Sequence, residues 1–348
     1  MKPVKLGIIG TGVGATFAAQ GISTFSSEGL VEIVAVADVY EEGAKRFSEK
    51  WKIKSRYKDY REMLEKADVD AVSIHTPHYL HYPMTMDALK AGKHVLVDKP
   101  IAMNLKEADE MIKEAEKRGL NLGVIFPTRF DPIARKVKEA ADSGRFGKLV
   151  LGEALVKWYR DQDYYAKSSW RGRWATEGGG ALINQAIHMI DLLRWVMGPV
   201  DYLWAQMDTV GHDIEVEDVA VATLRFKNGA LGVIEGGTAL YPGLPPKFEL
   251  HGVKGMAIIE GGTLRKWSIK GEEEITEEGV KKGLKSWVRP DVVPAANHGA
   301  LIKDFVKSIL EGRKPYVDGV KGRESLEIIR AIYKSAPTGE VVRFPVKE

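Results

Sequence analysis

The sequence predicts an α/β protein with two domains: an N-terminal doubly wound parallel sheet and a C-terminal α+β domain whose sheet is mostly antiparallel. Two patterns lead to this prediction. In residues 1–125, apolar β-branched runs alternate with amphipathic helical patterns, an order typical of a parallel sheet that helices cover on both faces. In residues 126–348, strand-like runs follow one another with turn residues between them, which is typical of antiparallel hairpins. We therefore place the domain boundary between residues 125 and 126.

Strands and helices alternate strictly in the first domain. The predicted strands are VKLGIIG, VEIVAVAD, DAVSIH, HVLVDKP and NLGVIF. The predicted helices are the segment that ends at Ser23, EEGAKRFSEKW, HYPMTMDALKAG and LKEADEMIKEAEKRG. Because the strands are apolar almost throughout, both faces of their sheet should be buried.

The second domain begins with a helix, PIARKVKEAADSGRFG, and a long strand, KLVLGEALVKWYR. Farther along, DVAVATLRF and ALGVIEGGT flank Asn228-Gly229, the strongest local hairpin signal in the chain. The strand runs KFELHG, KGMAIIEGG and TLRKWSI follow, and two amphipathic helices come last, in NHGALIKDFVKSILEG and GRESLEIIRAIYKSA. We expect a sheet with helices on one face.

Composition excludes several classes of protein. The 348 residues suffice for two domains that each bury a core, and the hydrophobic and charged fractions of 44% and 28% are those of an ordinary globular protein. The net charge of +3 is spread along the chain, so no basic patch is available for nucleic acid. The absence of cysteine excludes disulfides, thiolate metal sites and a cysteine nucleophile. No apolar run reaches the ~18 residues of a membrane span, and the opening MKPVKLGIIG is broken by glycine too early for a signal peptide, so we expect a cytoplasmic protein.

A glycine-rich turn follows the first strand. In GIIGTGVGA, Gly10, Gly12 and Ala15 have the G-x-G-x-x-A spacing and open the first helix. Glycines at a helix N-terminus let backbone N–H groups approach a pyrophosphate without a Cβ in the way. The alternative is a tight turn in a flavodoxin-like domain that binds no dinucleotide.

The second strand ends at Asp38, whose carboxylate suits the ribose hydroxyls of NAD and would repel the 2′-phosphate of NADP. We therefore predict NAD as the cofactor and disfavour NADP. The residues of this region predicted to contact the cofactor are Gly10, Gly12, Val13, Gly14 and Asp38.

A lysine ends another strand of the same sheet. HVLVDKP places Asp98, Lys99 and Pro100 at the carboxyl edge, where open α/β sheets bind ligands. A lysine there can stabilise negative charge on a substrate oxygen. The alternative is a surface lysine ahead of a turn proline.

The stretch GGGALINQAIHMID predicts a buried helix with a polar stripe. Asn184, His188 and Asp191 have the i, i+4, i+7 spacing that puts them on one side of an α-helix, and the residues around them are apolar. A buried polar stripe must find partners or face a wet cavity. The stripe is therefore either part of an active site or a core histidine with two hydrogen-bonding neighbours. We expect the three preceding glycines to permit close approach of a ligand.

Other candidate substrate-binding residues come from a segment that is rich in aromatics and arginines, Lys157 to Trp174. Aromatic faces stack on sugar rings, and arginines clamp carboxylates or phosphates; the alternative is a core and interface cluster. The candidates are Tyr159, Trp170, Arg171 and Arg173, together with Arg129 and His298 from other segments. We predict no metal site, because Pro77 breaks any regular ligand geometry among the nearby histidines and few carboxylates are close.

Together these motifs amount to a resemblance. GIIGTGVGA, TPHYLH, AGKHVLVDKP, TRFDP and GGGALINQAIHMID occur in the order typical of the glucose–fructose oxidoreductase, inositol dehydrogenase and rhizopine-catabolism (Gfo/Idh/MocA) family, and LIKDFVKSILEGRKPYVDG resembles the end of that family's chains. The resemblance implies an NAD(P)-binding Rossmann domain over residues 1–125. It also implies a domain over residues 126–348 with a large open sheet, used for substrate binding and oligomerisation, and hence a homodimer or homotetramer. The cofactor-site residues that it adds are Thr76, Pro77, His81, Asp98 and Lys99.

Two positions depart from the family pattern. The lysine motif is usually Glu-Lys-Pro, where this chain has Asp98-Lys99-Pro100, and many members have Asp where this chain has Asn184. Asparagine orients a hydroxyl by hydrogen bonding but cannot take its proton.

The resemblance implies an NAD-dependent oxidoreductase that transfers a hydride between nicotinamide and a secondary alcohol or ketone of a sugar, cyclitol, sugar acid or nucleotide sugar. In this hypothesis His188 takes the hydroxyl proton, Lys99 stabilises the alkoxide and Asn184 orients the hydroxyl. Asp191 binds substrate or holds the histidine ring. The alternatives are a glycosidase that recycles bound NAD and a non-catalytic sensor that binds dinucleotide; a sensor needs neither Lys99 nor His188.

Overall fold

The computed structural model describes residues 2–272, 275–276 and 295–347. These residues form two compact units. The first contains residues 2–127 and 295–323, and the second contains residues 128–272, 275–276 and 324–347. The division after Pro127 lies beside the predicted boundary, whereas residues 295–323, predicted to lie in the second domain, belong to the first unit.

Strands and helices alternate in the first unit. Its strands are β1 (Val4–Ile9), β2 (Val31–Ala37), β3 (Ser55–Tyr57), β4 (Ala71–Ile74), β5 (His94–Val97) and β6 (Leu122–Val124). Its helices up to this point are α1 (Val13–Ser23), α2 (Glu41–Trp51), α3 (Tyr60–Lys66), α4 (His81–Lys90) and α5 (Leu105–Arg118). The strands are parallel in the order β3-β2-β1-β4-β5-β6, which confirms the predicted doubly wound sheet. The strand order reverses between β1 and β4, the position at which such sheets bind ligands.

The second unit is built on a nine-stranded sheet. Its strands are β7 (Leu149–Lys157), β8 (Val200–Asp208), β9 (Val219–Phe226), β10 (Leu231–Gly237), β11 (Lys247–Gly252), β12 (Gly255–Glu260), β13 (Thr263–Ile269), β14 (Ile275–Thr276) and β15 (Val342–Arg343). Its helices are α6 (Pro132–Asp142), α7 (Gln162–Ala166), α8 (Trp174–Glu177) and α9 (Ile187–Met197). The order is β14-β13-β12-β11-β7-β10-β9-β8-β15, and among the described pairs β7–β10 alone is parallel, so the predicted mostly antiparallel sheet is confirmed.

Local sequence signals explain the hairpin between β9 and β10 and the two ends of helix α5. Gly229 has a φ of +86°, and Asn228 Oδ1 accepts a hydrogen bond from Ala230 N at 3.0 Å, so the hairpin between β9 and β10 forms where it is predicted. Helix α5 begins after Asn104, whose side chain accepts from Glu107 N at 2.9 Å. It ends at Gly119, which has a φ of +65°.

Helix α10 (Ala295–Leu310) belongs to the first unit because it packs closely on α1. A Cβ on Gly21 would lie 2.7 Å from the backbone N of Gly299, so two facing glycines allow the helix backbones to approach. After α10 the chain runs beside β6, where Val124 N donates to Val317 O at 3.0 Å. The C-terminal helix α11 (Gly319–Thr338) begins in the first unit and continues in the second. The pairing of α10 with α1 joins positions almost the whole chain apart, which local patterns do not reveal.

Helices cover one face of the nine-stranded sheet. Helix α9 contacts β7 and β11, and α6 contacts β12. The other face exposes Trp204, Val221 and Leu231, which are 40%, 46% and 47% exposed. In the part of the chain that the structure describes, no helix has the length and apolar character that crossing a membrane requires.

Candidate active site

The glycine-rich turn of the first unit leaves one backbone position open. Helix α1 begins at Val13 with Gly12 as its N-cap, and no side chain caps its first turn. A Cβ on Gly12 would have no atom within 4 Å. The N–H groups at the start of α1 are therefore accessible to an anion, and the residues present fit a dinucleotide pyrophosphate.

The other two glycines of this turn are required because the backbone there lies close to other protein atoms. Gly10 has a φ of +84°, and a Cβ there would lie 2.5 Å from the carbonyl oxygen of His75. A Cβ on Gly14 would lie 2.5 Å from Asp98 Oδ2. These glycines let the turn lie directly against the carboxyl ends of β4 and β5.

Asp38 holds the turn from the end of β2. Its Oδ2 accepts from both Thr11 N and Thr11 Oγ1 at 2.7 Å, and its Oδ1 accepts from Tyr40 N at 2.9 Å. A carboxylate has about four acceptor positions, so these bonds leave room for hydroxyl donors. The side chain is partly exposed. Its place and chemistry are those expected of a ribose-binding residue.

His81 joins the loops that follow β4 and β5. Its Nε2 lies 2.9 Å from Thr76 O, and its Nδ1 lies 2.7 Å from Pro100 O. The ring is fully buried, and burial lowers the pKa of His81. His81 therefore shapes the loops through their carbonyl groups and has no exposed surface for a cofactor, whereas Thr76 and Pro77 are partly exposed.

Asp98 organises the lysine motif. Its Oδ1 accepts from the backbone N of Lys99 at 2.8 Å, and its Oδ2 lies 3.2 Å from Nδ1 of His75. Burial alone would raise the pKa of Asp98, but the hydrogen bond to His75 and the nearby positive charges outweigh it and hold the pKa well below its usual range. Lys99 itself is partly exposed at this edge of the sheet.

In the second unit, two side chains stand out from a buried stretch. All residues from Glu177 to Leu193 are buried except Asn184 and His188, which are partly exposed. The predicted α-helix is interrupted here, because Leu182–Ala186 form a π-helical turn before α9 begins. The wider turn invalidates the α-helical spacing that the sequence analysis used, and such turns occur often at functional sites.

Asp191 and Arg129, both predicted to bind substrate, instead pair with each other. Arg129 donates from Nε and Nη2 to the two oxygens of Asp191, each at 2.8 Å, and Ser325 Oγ donates to Asp191 Oδ1 at 2.6 Å. Arg129 is 2% exposed and Asp191 0%. Buried charges require such partners. The pair therefore joins elements inside the second unit, and the prediction of substrate contacts is wrong for both residues.

Glu177, which the sequence analysis missed, contacts the predicted site. The side chain is fully buried at the end of α8. Its Oε1 accepts from Asn184 Nδ2 at 2.6 Å, and its Oε2 accepts from Gly172 N at 2.5 Å. The signal available in the sequence was a carboxylate directly before three glycines, which by itself is typical of any helix end.

Glu217, also missed, fills the space beneath the glycine turn. It accepts hydrogen bonds from Gly180 N at 2.8 Å, Leu182 N at 2.9 Å and the Tyr333 hydroxyl at 2.9 Å. Burial raises the pKa of Glu217 to about 7, although these hydrogen bonds act in the opposite direction.

The glycines of this turn accommodate protein atoms. A Cβ on Gly179 would lie 2.0 Å from the Tyr333 hydroxyl oxygen, and one on Gly180 would lie 2.0 Å from Glu217 O. The expectation that these glycines admit a ligand is therefore wrong for Gly179 and Gly180, and for Gly178 it stays a prediction.

The aromatic and arginine-rich segment forms an open cleft of about 530 Å³ in the second unit. The guanidinium carbons of Arg160 and Arg171 lie 5.5 Å and 4.5 Å from the centroid of the Tyr164 ring. Arg171 also lies 4.9 Å from the ring of Trp170. The lining residues are Tyr159, Arg160, Asp161, Asp163, Tyr164, Lys167, Arg171 and Pro242.

Two further candidates lie outside this cleft. Arg173 is exposed as the N-cap of α8, with no side-chain cap hydrogen bond. His298 is buried in α10 of the first unit, where its ring centroid lies 5.4 Å from that of Phe17. This contact places the His298 ring against α1, and its proposed contact with substrate stays a prediction.

Two family models match most of the chain. Residues 4–126 match the oxidoreductase family with an NAD-binding Rossmann fold, and residues 134–258 match the GFO/IDH/MocA C-terminal domain. The first match identifies the first unit as an NAD-binding domain, in agreement with the open turn at Gly12.

Several named proteins are similar in sequence to most of this chain. Myo-inositol 2-dehydrogenase of Thermotoga maritima is 29% identical over 95% of this chain and 96% of its own. The uncharacterized oxidoreductase YrbE of Bacillus subtilis is 31% identical over 74% of each chain. The WlbA dehydrogenase of Bordetella pertussis, solved with NADH and UDP-GlcNAcA, is 28% identical, with a TM-score of 0.88 over 99% of this chain and 100% of that one. The chain therefore belongs to the Gfo/Idh/MocA family of NAD-binding oxidoreductases.

Proposed function

We propose that this protein is an NAD-dependent dehydrogenase or reductase that acts on a secondary alcohol or ketone of a sugar, cyclitol, sugar acid or nucleotide sugar. The observation that carries the proposal is the exposure of Asn184 and His188 alone in an otherwise buried stretch. A polar pair that is kept accessible at such a place is available to a ligand, whereas a structural pair would be buried like Asp191 and Arg129.

The chemistry divides among three side chains. NAD⁺ held at the turn of Gly12 and by Asp38 would supply the hydride acceptor for oxidation of a carbinol to a ketone. His188 takes the hydroxyl proton, since an imidazole titrates near neutral pH. Lys99 stabilises the negative charge that develops on the oxygen, and Asn184 orients the hydroxyl by hydrogen bonding. In the reverse direction the same groups return the proton to the ketone oxygen.

The proposed substrate class is based on the substrates named for similar proteins. The Thermotoga protein is named for a cyclitol and the Bordetella protein was solved with a nucleotide-linked sugar acid. Within this range, the cleft supports a substrate that carries a carboxylate or phosphate. Arg171 lines the cleft 4.5 Å from the Tyr164 centroid, and among the described residues its buried Nε has no hydrogen-bond partner, which supports an anionic ligand group as its partner. Tyr159, Trp170 and Arg173 remain proposed substrate contacts on the same segment.

The first experiment incubates the purified protein with NAD⁺ and a panel of free sugars, inositols, sugar acids and UDP-sugars. Absorbance reports NADH, and mass spectrometry identifies products. We expect NADH and a keto product from one class. Lys99→Ala should lower kcat by roughly 10²-fold or more while NADH affinity is retained. Cleavage of a glycoside without NADH would indicate the recycling glycosidase, and NAD binding without turnover of any member would favour a sensor.

We also propose that the protein is a homodimer or homotetramer and works in the cytoplasm. The sheet face that exposes Trp204, Val221 and Leu231 supports self-association, because exposed apolar residues grouped on one sheet face mark interaction surfaces. Charged pairs such as Lys157–Glu235 on the same face give such an interface polar contacts as well. Sedimentation at micromolar concentration should show an oligomer, and a clean monomer would contradict the proposed oligomeric state.

The proposed cytoplasmic location is supported by the use of NAD, and cell fractionation tests it.

A further inference from the structure

We propose that His75 is a positioning residue for the reaction: it holds the carboxylate of Asp98 between the glycine-rich turn of the first unit and the backbone of Lys99. The inference rests on the proposed function, in which Lys99 stabilises negative charge on the substrate oxygen. It assigns a role to a buried histidine that the mechanism otherwise does not use.

Two contacts define the place of the Asp98 carboxylate. Its Oδ1 accepts a hydrogen bond from the backbone N of Lys99 at 2.8 Å. Its Oδ2 lies beside the glycine-rich turn, where a Cβ on Gly14 would be 2.5 Å away. One carboxylate therefore lies against both the turn that begins α1 and the residue that carries the proposed charge-stabilising ammonium. A movement of Asp98 would change the point from which the Lys99 side chain extends.

His75 holds this carboxylate from the interior of the unit. Its Nδ1 lies 3.2 Å from Asp98 Oδ2, and its Nε2 lies 2.8 Å from the hydroxyl oxygen of Ser73. The imidazole side chain is 1% exposed, whereas the side chain of Asp98 is 23% exposed. The ring is therefore enclosed by protein, and it anchors an aspartate that reaches the edge of the sheet.

The charge of Asp98 determines which ring nitrogen carries a proton. Burial alone would raise the pKa of Asp98, but the hydrogen bond to His75 and the neighbouring positive charges hold the pKa well below its usual range, so the group is ionised. A carboxylate only accepts hydrogen bonds, so Nδ1 of His75 must donate. In the neutral ring Nε2 is then an acceptor, which matches the Ser73 hydroxyl as its donor. The ring cannot turn without losing both bonds.

The order Ser73, His75, Asp98 resembles the triad of serine hydrolases, but its location excludes that chemistry. Ser73 is 0% exposed within β4, so no substrate reaches its hydroxyl. The three residues instead form a chain of hydrogen bonds that ends at a partly exposed carboxylate. Buried chains of this kind fix the position of the group at their accessible end.

The pair also accounts for the aspartate that stands where this motif usually has glutamate. A Cβ on Gly14 would lie 2.5 Å from Asp98 Oδ2 and 3.1 Å from His75 Nδ1, so the turn and the ring both lie close to this oxygen. A glutamate is longer by one methylene and would carry its carboxylate into these atoms. Aspartate is the acidic side chain that fits while His75 is present.

The first test compares two substitutions of His75, with kcat measured at saturating NAD⁺. In His75→Leu no donor faces Asp98, and we expect kcat to fall roughly tenfold as Lys99 loses its fixed position. In His75→Asn the side-chain NH₂ group stands near the place of Nδ1 and still donates, so kcat should stay within about threefold of that of the parent protein. Equal losses in both variants would overturn the inference.

Val95→Ala is the matched control. Val95 is 0% exposed in β5, the strand that ends directly before Asp98. Its truncation leaves a cavity but removes no hydrogen bond to the carboxylate. It should lower the melting temperature, while kcat, measured well below that temperature, stays within about twofold of that of the parent protein. A fall in kcat as large as in His75→Leu would assign the effect to general loosening of the sheet and overturn the inference.

A double variant tests whether His75 acts through Lys99. If His75 affects turnover by placing Lys99, its loss has no further consequence once the ammonium is gone. We therefore expect the kcat of Lys99→Ala with His75→Leu to lie within about twofold of that of Lys99→Ala alone. A further tenfold fall in the double variant would show that the two residues act independently, and the inference would fail.

A second measurement does not depend on turnover. The chain has eight histidines, so ¹⁵N labelling of histidine gives few ring signals, and the set absent from His75→Asn belongs to His75. We expect Nδ1 to carry a proton whether or not the ring is charged, and its signal to move strongly in Asp98→Asn. A ring protonated at Nε2 alone would overturn the inference whatever the activity. The expected ring signals in a protein that turns over no substrate would instead count against the proposed function and leave the placement of the carboxylate supported.

Discussion

Two glycine-rich turns in this molecule resemble each other in sequence and differ in what surrounds them. In the turn of the first unit, Gly12 faces open space, whereas Gly10 and Gly14 lie against protein. In the turn of the second unit, Gly179 and Gly180 both lie against protein, at Tyr333 and Glu217. Glycine is present in both because the backbone approaches something closely. Of these five glycines, Gly12 alone has no protein atom within 4 Å of a Cβ position, and we propose that the cofactor pyrophosphate occupies this space.

The largest effect should come from Gly180→Ala. A Cβ at this position would lie 2.0 Å from the backbone oxygen of Glu217, which cannot move aside as a flexible side chain can. We expect a loss of more than roughly 3 kcal/mol in the free energy of unfolding, measured by denaturant titration. Stability equal to that of the parent protein would show that the second turn is as open as the first.

Glu217 should make the stability of the second turn depend on pH. Its pKa of about 7 in the folded protein exceeds the ordinary value of 4.5, so the folded state binds more protons than the unfolded state between these values. Stability should therefore be greatest at low pH on account of this group and decline by up to about 3 kcal/mol as pH rises through 7. Glu217→Gln should remove this part of the slope. An unchanged slope would mean that the carboxyl group is ionised throughout.

Gly12→Ala should separate binding from folding. The backbone of Gly12, at φ −73° and ψ −160°, suits any residue, and a Cβ there meets no protein atom within 4 Å. We expect the free energy of unfolding to change by less than about 0.5 kcal/mol. NADH affinity should fall roughly tenfold or more, because the new methyl group occupies space that the pyrophosphate needs. Calorimetric titration measures the affinity for NADH, and an unaltered affinity would contradict the proposed pyrophosphate site.

The smallest effect should come from Asp38→Asn. The parent protein should bind NADH more tightly than NADPH, because the carboxylate repels a 2′-phosphate. The substitution removes the charge while keeping an acceptor for Thr11, and the preference should shrink roughly tenfold. Glu41→Gln, on the exposed start of α2, is the control and should leave the preference unchanged. Equal affinities of the parent protein for both cofactors would end the role assigned to Asp38.

The features that the sequence predicts correctly are those that depend on neighbouring residues. Strand and helix alternation gives the parallel sheet, Asn228-Gly229 gives a hairpin, and the spacing of Gly10, Gly12 and Asp38 gives the turn. Each of these signals is contained in a short segment or one βαβ unit.

The features that escape prediction depend on partners far along the chain. Asp191 looks like one member of a polar stripe until Arg129, 62 positions away, and Ser325, 134 positions away, are seen to bond it. The π-helical turn at Leu182–Ala186 changes the helix period around Asn184, so a stripe drawn at 3.6 residues per turn misplaces Asn184 relative to His188 and Asp191, which both lie in α9. Glu177 could not be distinguished from an ordinary helix end, because its importance comes from the side chain of Asn184 and not from its own position.

The packing of α10 on α1 determines when the first unit can be finished during synthesis. The groove on α1 at Gly21 is made within the first stretch of chain, but Gly299 leaves the ribosome only after every strand from β1 to β14 has been translated. Until Gly299 has been translated, α1 lacks the helix that packs against it. At that point every strand of the nine-stranded sheet except β15 has already been translated. The nucleotide-binding unit is thus begun first and completed late. A fragment that ends at residue 127 would leave it unfinished, and an excised version would need residues 295–323 joined back to it.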